Sequence, residues 1–490
     1  MNSHSLSVGK IRPLQASWLP LWAVLLGAWA FPPPATGAET APRPNILFIL
    51  ADDLGWGDLG CYGHPQLRTP HLDQLAAQGT LFTQFYVCGS VCSPSRCAFF
   101  TGQYPARHRI HGHYATPEQN QARGMSQFLD PQVPNVARLL KQAGYYTAHI
   151  GKWHLGSNSG GPSPEAYGFD FVGSTERGGA NGPPDDPFYR ARSTALFVDE
   201  ALEVFRAHHD QPVYLQLWTL VPHATLRPTE EQMRPYAAFR PAGPDFPHRS
   251  AAEIYYGSVT DLDAQIGRLL KGLDDLGLTE RTLVLFSSDN GPEDIHIRNA
   301  GHSGIGSAGP FRGRKRSLYE GGVRVPFLVR WPGQVPAGRI DNTSVVAGCD
   351  FLPTVCHVAG AAVPPDHALD GENVADILRG TSRPRSKPLF WEWRFRIAGE
   401  VFHHSPRLAI RDGDWKLLMN PDRSRVELYD IPRDPTQLQN VAKEHSEIVE
   451  RLAAQLLSWS QSLPVGPSDP GAGEMRYPWP GQARSNRRGQ

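Results

Sequence analysis

Asn45 to Leu50 reads Asn-Ile-Leu-Phe-Ile-Leu, and Thr282 to Phe286 reads Thr-Leu-Val-Leu-Phe. Each is a nearly continuous apolar run, the pattern of a central strand covered on both faces. Both runs stop in oxygen-bearing side chains: Asp52-Asp53-Leu54-Gly55 follows the first, and Ser287-Ser288-Asp289-Asn290-Gly291 the second. In open α/β sheets ligands gather at the carboxyl ends of strands, which makes these polar ends candidate metal ligands. Taken together, Asp52, Asp53, Asp289 and Asn290 offer three carboxylates and one amide oxygen. These are hard donors that suit calcium or magnesium better than zinc. An Asp-Asp pair before a glycine also makes an ordinary turn.

Between and beyond these runs the pattern alternates. Thr69-Pro70 opens a helix through Ala77, Asn135 to Gln142 is amphipathic, and Tyr145 to Ile150 and Val213 to Leu220 are further strands. Leu262, Ile266, Leu269, Leu270 and Leu273 mark one face of a long helix. After a Pro- and Arg-containing linker at Ser382 to Lys387 come four short stretches with antiparallel character. They are Pro388 to Phe395, Arg407 to Arg411, Trp415 to Leu418 and Val426 to Tyr429, with Asp412-Gly413 as a turn and a closing helix from Ser446 to Trp459. The expected organisation is a targeting segment over residues 1–38, a catalytic domain over 39–385, a sheet-and-helix subdomain over 386–463 and a flexible tail over 464–490.

The targeting segment rests on Lys10 and Arg12 before an apolar run from Trp18 to Phe31, with small residues at Thr36 to Ala38 suited to cleavage. The run is too short and too proline-flanked for a membrane span. Export is therefore expected, to the periplasm or outside the cell, or to the lysosome in a eukaryote. Lysine plus arginine equals aspartate plus glutamate, 48 each, so no global field draws this chain to nucleic acid. Six cysteines are too few, and too irregularly spaced, to define a disulfide framework; Cys349 and Cys356 are open to pairing or to simple burial.

Cys88 to Gly102 reads Cys-Gly-Ser-Val-Cys-Ser-Pro-Ser-Arg-Cys-Ala-Phe-Phe-Thr-Gly. Ser93 is a suitable N-cap, Pro94 fits the first helical position and Gly102 fits just past the last turn. Cys92 would then sit just before a helix N-terminus, where unpaired N–H groups and the charge of Arg96 favour an anion. Either a structural cysteine or a nucleophile for an anionic substrate suits that place. Farther on, Lys152 and His154 in Gly151-Lys-Trp-His-Leu-Gly156 are two apart, so both face one side if the segment is extended. An ammonium there can hold an oxyanion while the imidazole handles a proton.

Cys92-Ser-Pro-Ser-Arg96 with Thr101-Gly102, and then the Gly151 to Gly156 string, resemble the two signatures of the type I sulfatases, of the arylsulfatase and N-acetylgalactosamine-6-sulfatase kind. The likeness runs from Asn45 to about Ala442, and includes Leu428-Tyr-Asp430, Asp434-Pro435 and Asn440. It implies an alkaline-phosphatase-like α/β core, a central mixed sheet flanked by helices, with a smaller C-terminal antiparallel sheet plus helix. It also implies that Cys92 is oxidised to formylglycine (3-oxoalanine) by a formylglycine-generating enzyme, and that one calcium ion lies against Asp52, Asp53, Asp289, Asn290 and the side chain at position 92. Arg96, Lys152, His154, His223 and Lys315 would be the catalytic set, with His223 protonating the leaving alcohol and Lys152 and Lys315 holding the sulfate charge.

The implied substrate is a sulfated small molecule or, preferentially, a sulfated glycan. Around Ser174 to Gly179 the chain departs from the family pattern, and Arg177, Arg227 and His302 are candidates for recognising the sugar or a second anion. Arg314 and Arg316, which flank Lys315, are expected to widen a positive rim toward a multiply sulfated substrate. A phosphate or phosphonate monoester hydrolase of the same superfamily and a non-catalytic secreted binder of sulfated glycans are the rival readings. The oligomeric state is open.

Overall fold

A computed structural model describes residues 43–475 except 157–159, 176–188, 241–249 and 298–299. The targeting segment therefore lies outside the described residues. Nine strands form the large sheet: β1 Asn45–Asp52, β2 Thr80–Tyr86, β3 Tyr146–Gly151, β4 Phe171–Thr175, β5 Val213–Pro222, β6 Thr282–Ser288, β7 Arg324–Arg330, β8 Arg339–Asp341 and β9 Val346–Ala347. Their order is β4-β3-β5-β1-β6-β7-β2-β8, with β9 paired to β2. β1 runs parallel to both neighbours, β5 and β6, whereas β7 is antiparallel to β6 and β2, so the sheet is mixed.

β1 is buried along its whole length, as its sequence requires. Ile46, Phe48 and Leu50 face one layer, where Phe99 and Phe100 of the helix Cys92–Thr101 and Val355 of the helix Phe351–Ala359 pack. Leu47, Ile49 and Ala51 face the other, against Phe197 of Tyr189–Ala207 and Leu262, Ile266 and Leu269 of Ala251–Asp275. The period of two thus feeds two cores, one on each side of the strand. Because β1 and β6 pair in parallel with Leu50 beside Ser287, their polar ends emerge side by side. Gly291 tightens this edge: a Cβ there would lie 1.9 Å from the Gly321 carbonyl oxygen.

The second sheet is antiparallel and has four strands, β10 Leu389–Glu392, β11 Leu408–Asp412, β12 Trp415–Met419 and β13 Glu427–Asp430, in that order. Gly413 takes a left-handed φ of 59° in the turn between β11 and β12. The helix Ser446–Gln461 packs on this sheet, with Trp459 stacked on Phe390 at 5.0 Å. Leu417, Leu428, Leu452 and Leu456 belong to the same apolar cluster as Phe48 and Phe99, so the small sheet shares the core of one face of the large one. The described part of the C-terminal tail folds back, and the Asp469 N–H donates to the Arg394 carbonyl at 2.8 Å. All six cysteines are unpaired, with Cys349 and Cys356 buried. Among the described residues no helix is long and apolar enough to cross a membrane.

A buried charge network ties the two sheets. Lys416 of β12 donates to Glu320 at 2.8 Å, and Glu320 accepts from Tyr86 of β2 at 2.6 Å and from Arg324 at 3.2 Å. Burial alone would raise the Glu320 carboxyl, but Lys416, Arg324 and Arg411 override it and hold it down at about 2. A depressed carboxyl contributes stability that is complete above its unfolded value and is lost as pH falls toward the folded one. Lys416→Met removes the closest of these cations and leaves a buried carboxylate short of a partner. It should lower unfolding free energy by about 3–5 kcal/mol, seen as a reduced Tm at neutral pH. The deficit should shrink in acid, where Glu320 protonates.

Candidate active site

The helix Cys92–Thr101 begins two residues earlier than the capping pattern predicts. Val91 is the N-cap, without a side-chain cap bond, and Cys92 is the first helical residue. Ser93 does not cap because its hydroxyl accepts the Tyr114 N–H at 3.0 Å, tying the helix start to the segment beyond it. Gly102 ends the helix at φ 70°, its N–H on the Ala98 carbonyl, as expected for a left-handed cap. The helix aims Cys92 at the paired ends of β1 and β6. There its sulfur and carboxylate oxygens of Asp52 and Asp289 lie within 4.8 Å of one another.

Around that point four carboxylates alternate with four cations, all largely withdrawn from solvent. Lys152 donates to both oxygens of Asp52, at 2.9 and 2.7 Å. Lys315 donates to Asp53 at 2.6 Å and stands 3.6 Å from Glu293, which Arg316 also engages. Arg96, with a side chain 0% exposed, donates Nε and Nη2 to one oxygen of Asp289 at 3.1 and 2.7 Å and Nη1 to the Lys152 carbonyl at 2.8 Å. It also approaches Asp52 at 3.6 Å and lies 5.1 Å from the Trp218 ring. Burial, the largest single influence, disfavours charge on Lys152, yet the neighbouring acidic groups, Asp52 foremost with Asp289, together raise that ammonium above its usual range. Burial likewise opposes charge on Lys315, and the neighbouring acidic groups, Asp53 foremost with Glu293, together raise it well above the usual range. Both lysines are therefore charged throughout the working pH range.

His223 follows β5, with Nε2 at 3.7 Å from Asp53 and Nδ1 at 2.6 Å from the Ala224 carbonyl. Burial, helped by the Lys315 charge, pulls its pKa well down, so the ring is neutral at rest. The Nδ1 proton is committed to Ala224, which leaves Nε2 as the acceptor facing the cluster. His154 is close by but not as strand alternation suggests. Its φ is 53°, so the segment is not extended, and Nε2 meets the Tyr114 carbonyl at 3.1 Å. Asp53 and Arg316 also take left-handed φ values, 69° and 77°. Three of the seven non-glycine residues with left-handed φ among the described residues thus lie at this cluster.

The donor set has the character the sequence implies. Asn290 donates Nδ2 to Asp53 at 2.7 Å and to the Gly291 carbonyl, whereas its Oδ1 is buried without a hydrogen-bond partner among the described residues. An orphaned amide oxygen among three carboxylates is what a hard cation would satisfy. The thiol of Cys92 is the exception, a soft atom among hard ones.

The remaining sequence candidates do not join the cluster. Arg227 is exposed, and His302 is half-buried with its ring bonded to the Leu226 backbone. Arg177 lies outside the described residues. The expected rim of Arg314 is corrected: its guanidinium turns inward onto the carbonyls of Glu293, Gly304 and Gly306. Arg316 is tied to both oxygens of Glu293. Sequence reasoning missed Glu293 and His113. Glu293 lies three residues past Asn290 and was findable as a further carboxylate on the same strand end. His113 carried no local signal.

The chain is similar to known proteins over most of its length. The family described as Sulfatase matches residues 44–361, and the family described as N-sulphoglucosamine sulphohydrolase, C-terminal, matches residues 309–462. The chain is 36% identical to human arylsulfatase A, covering 90% of this chain and 93% of that protein. It is 35% identical to dog N-acetylgalactosamine-6-sulfatase, over 72% of this chain and 70% of that one. Among solved structures it resembles Ps i-CgsB in complex with k-i-k-neocarrahexaose, with a TM-score of 0.69 and 28% identity, over 85% of this chain and 93% of that one.

Proposed function

The chain belongs to the sulfatase family and is a sulfuric ester hydrolase; from that premise we propose that it hydrolyses sulfate esters of a carbohydrate, using formylglycine made from Cys92 and a bound calcium ion. The observation that carries the nucleophile is the Cys92 sulfur within 4.8 Å of carboxylate oxygens of Asp52 and Asp289. A thiol in this place can attack sulfur only once, because after taking the sulfuryl group it has no second acidic group whose deprotonation would expel that group. It is also a poor ligand for the hard cation that the surrounding oxygens suit. Conversion to an aldehyde, hydrated in water, removes both faults, supplying hydroxyl groups that suit the metal and can attack sulfur. Asp52, Asp53, Asp289 and Asn290 would hold the ion.

The chain's own residues divide the remaining work. Arg96 fixes Asp289 and, through the Lys152 carbonyl, the start of the second signature segment. Lys152 and Lys315 bring two permanent positive charges to the point where sulfate oxygens would stand, and stabilise charge that grows there during transfer. His223 is neutral at rest, but an anionic sulfate ester beside it favours protonation at Nε2, the one nitrogen not committed to backbone. It is then placed to give that proton to the departing sugar oxygen. Asp289 is the proposed acceptor of the nucleophile's proton and His154 that of the proton lost on regeneration. The carbohydrate preference draws support from Ps i-CgsB, whose structure holds a neocarrahexaose.

The test is the mass of the Cys92 peptide from protein made with a formylglycine-generating enzyme, followed by assay of sulfate and phosphate release. The reading expects the thiol sulfur and two hydrogens to be lost and one oxygen gained at Cys92, with sulfate release exceeding phosphate release. An unmodified thiol in an active enzyme would overturn it. A chelator should abolish turnover and calcium should restore it, whereas zinc should not.

A further inference from the structure

A cavity of about 560 Å³ lies beside the catalytic cluster, within the size range of small-molecule sites. Three segments distant in sequence enclose it: Gly112 to Arg123, Trp393 to Ala398 and Pro467 to Pro470, with Arg316 closing the side toward the cluster. Arg316 directly follows Lys315. His113 is close enough to His154 and Lys315 for their charges to depress its pKa, alongside burial, the larger cause. Tyr114, next to His113, carries the carbonyl that His154 meets at 3.1 Å. The cavity and the proposed catalytic centre therefore share a wall.

Its lining has two chemistries. Trp393 and Phe395 meet edge to face at 5.3 Å, and the buried indole N–H of Trp393 has no hydrogen-bond acceptor among the described residues. Arg123 stands 5.6 Å from the Phe395 ring and donates to the His113 carbonyl at 3.3 Å. No carboxylate lies within ion-pair distance of Arg123 or Arg396 among the described residues. Burial and the like charge of Arg316 both disfavour the Arg123 cation. The one acid in the lining, Asp469, already accepts the backbone N–H groups of Arg396 and Gly471. An aromatic wall and two guanidinium groups with no carboxylate partner among the described residues match a sugar ring that carries an oxyanion.

Resting on the carbohydrate reading above, we propose that this cavity binds the sugar unit adjoining the one that carries the scissile sulfate, and selects a unit bearing a sulfate of its own. Arg123 and Arg396 would hold that second sulfate, and Trp393 and Phe395 the ring.

The test compares singly and doubly sulfated disaccharides of carrageenan, chondroitin and heparin type. Binding is read by titration calorimetry on full-length Cys92→Ala protein, so that it does not depend on turnover. Hydrolysis of 4-nitrophenyl sulfate, which has no second sugar, is measured in the otherwise native enzyme. At least one doubly sulfated disaccharide should bind about tenfold or more tightly than its singly sulfated counterpart. Arg123→Gln and Arg396→Gln should each remove about tenfold of that preference and leave 4-nitrophenyl sulfate hydrolysis unchanged. The inference is overturned if no doubly sulfated member is preferred, if the preference survives both substitutions, or if aryl sulfate hydrolysis falls by the same factor. A native enzyme that binds these sugars with the expected preference yet releases sulfate from none would instead sink the carbohydrate-hydrolase reading.

Discussion

Cys92→Ser should abolish steady-state release of sulfate, by at least about 10⁴-fold, while leaving the fold intact. The side chain is 2% exposed and sits at the first turn of a helix whose packing rests on Phe99, Phe100 and Ala98, not on the sulfur. Exchanging sulfur for oxygen there should leave Tm nearly unchanged. The chemical consequence is different. A serine hydroxyl in this position has Lys152, Lys315 and Arg96 around it, and can accept a sulfuryl group from an activated aryl sulfate. It has no second hydroxyl whose deprotonation would expel that group. Mass analysis of the variant after exposure to 4-nitrophenyl sulfate should therefore find one sulfuryl group on the peptide spanning position 92, with at most one equivalent of nitrophenol released. Sustained turnover would contradict the two-hydroxyl chemistry.

Local pattern went far with this chain where a single segment decides the outcome. The apolar runs of β1 and β6 and the oxygen donors at their ends are properties of short stretches, and their parallel pairing brings Asp52, Asp53, Asp289 and Asn290 together. Capping rules placed Gly102 but chose Ser93 over Val91, because the Ser93 hydroxyl is taken by Tyr114, a partner 21 residues away. The same limit explains Arg314. A charge run reads as a solvated rim, yet three carbonyls from a neighbouring loop draw that guanidinium inward. His154 departs from strand alternation because β3 stops at Gly151 and the chain turns through a left-handed residue before reaching it. The cavity of Arg123 and Arg396 was invisible for a stronger reason. Its walls come from parts of the chain more than 300 residues apart, and only the fold-back of residues 464–475 completes it.

Arg96 separates electrostatic from geometric demand in the cluster. It is fully buried and makes three hydrogen bonds, two to Asp289 and one to the Lys152 carbonyl, with Asp52 a further 3.6 Å contact. Arg96→Met removes the charge and leaves Asp289 facing Asp52 in a region of low dielectric. Breaking a buried pair in this way costs about 3–5 kcal/mol, so that variant should lose Tm as well as activity. Arg96→Lys keeps a positive charge but lacks the planar fork, and one ammonium cannot reach Asp289 and the Lys152 carbonyl with the same geometry. It should fold with a smaller loss of Tm, yet its kcat should fall roughly 10²-fold, the worth of one or two charge-assisted hydrogen bonds. The loss should appear in kcat more than in KM, because Arg96 holds Asp289 and the Lys152 segment in place and reaches the substrate only through them. If the lysine variant retained full kcat, charge balance alone would account for this residue, and the positioning role assigned to its fork would be wrong.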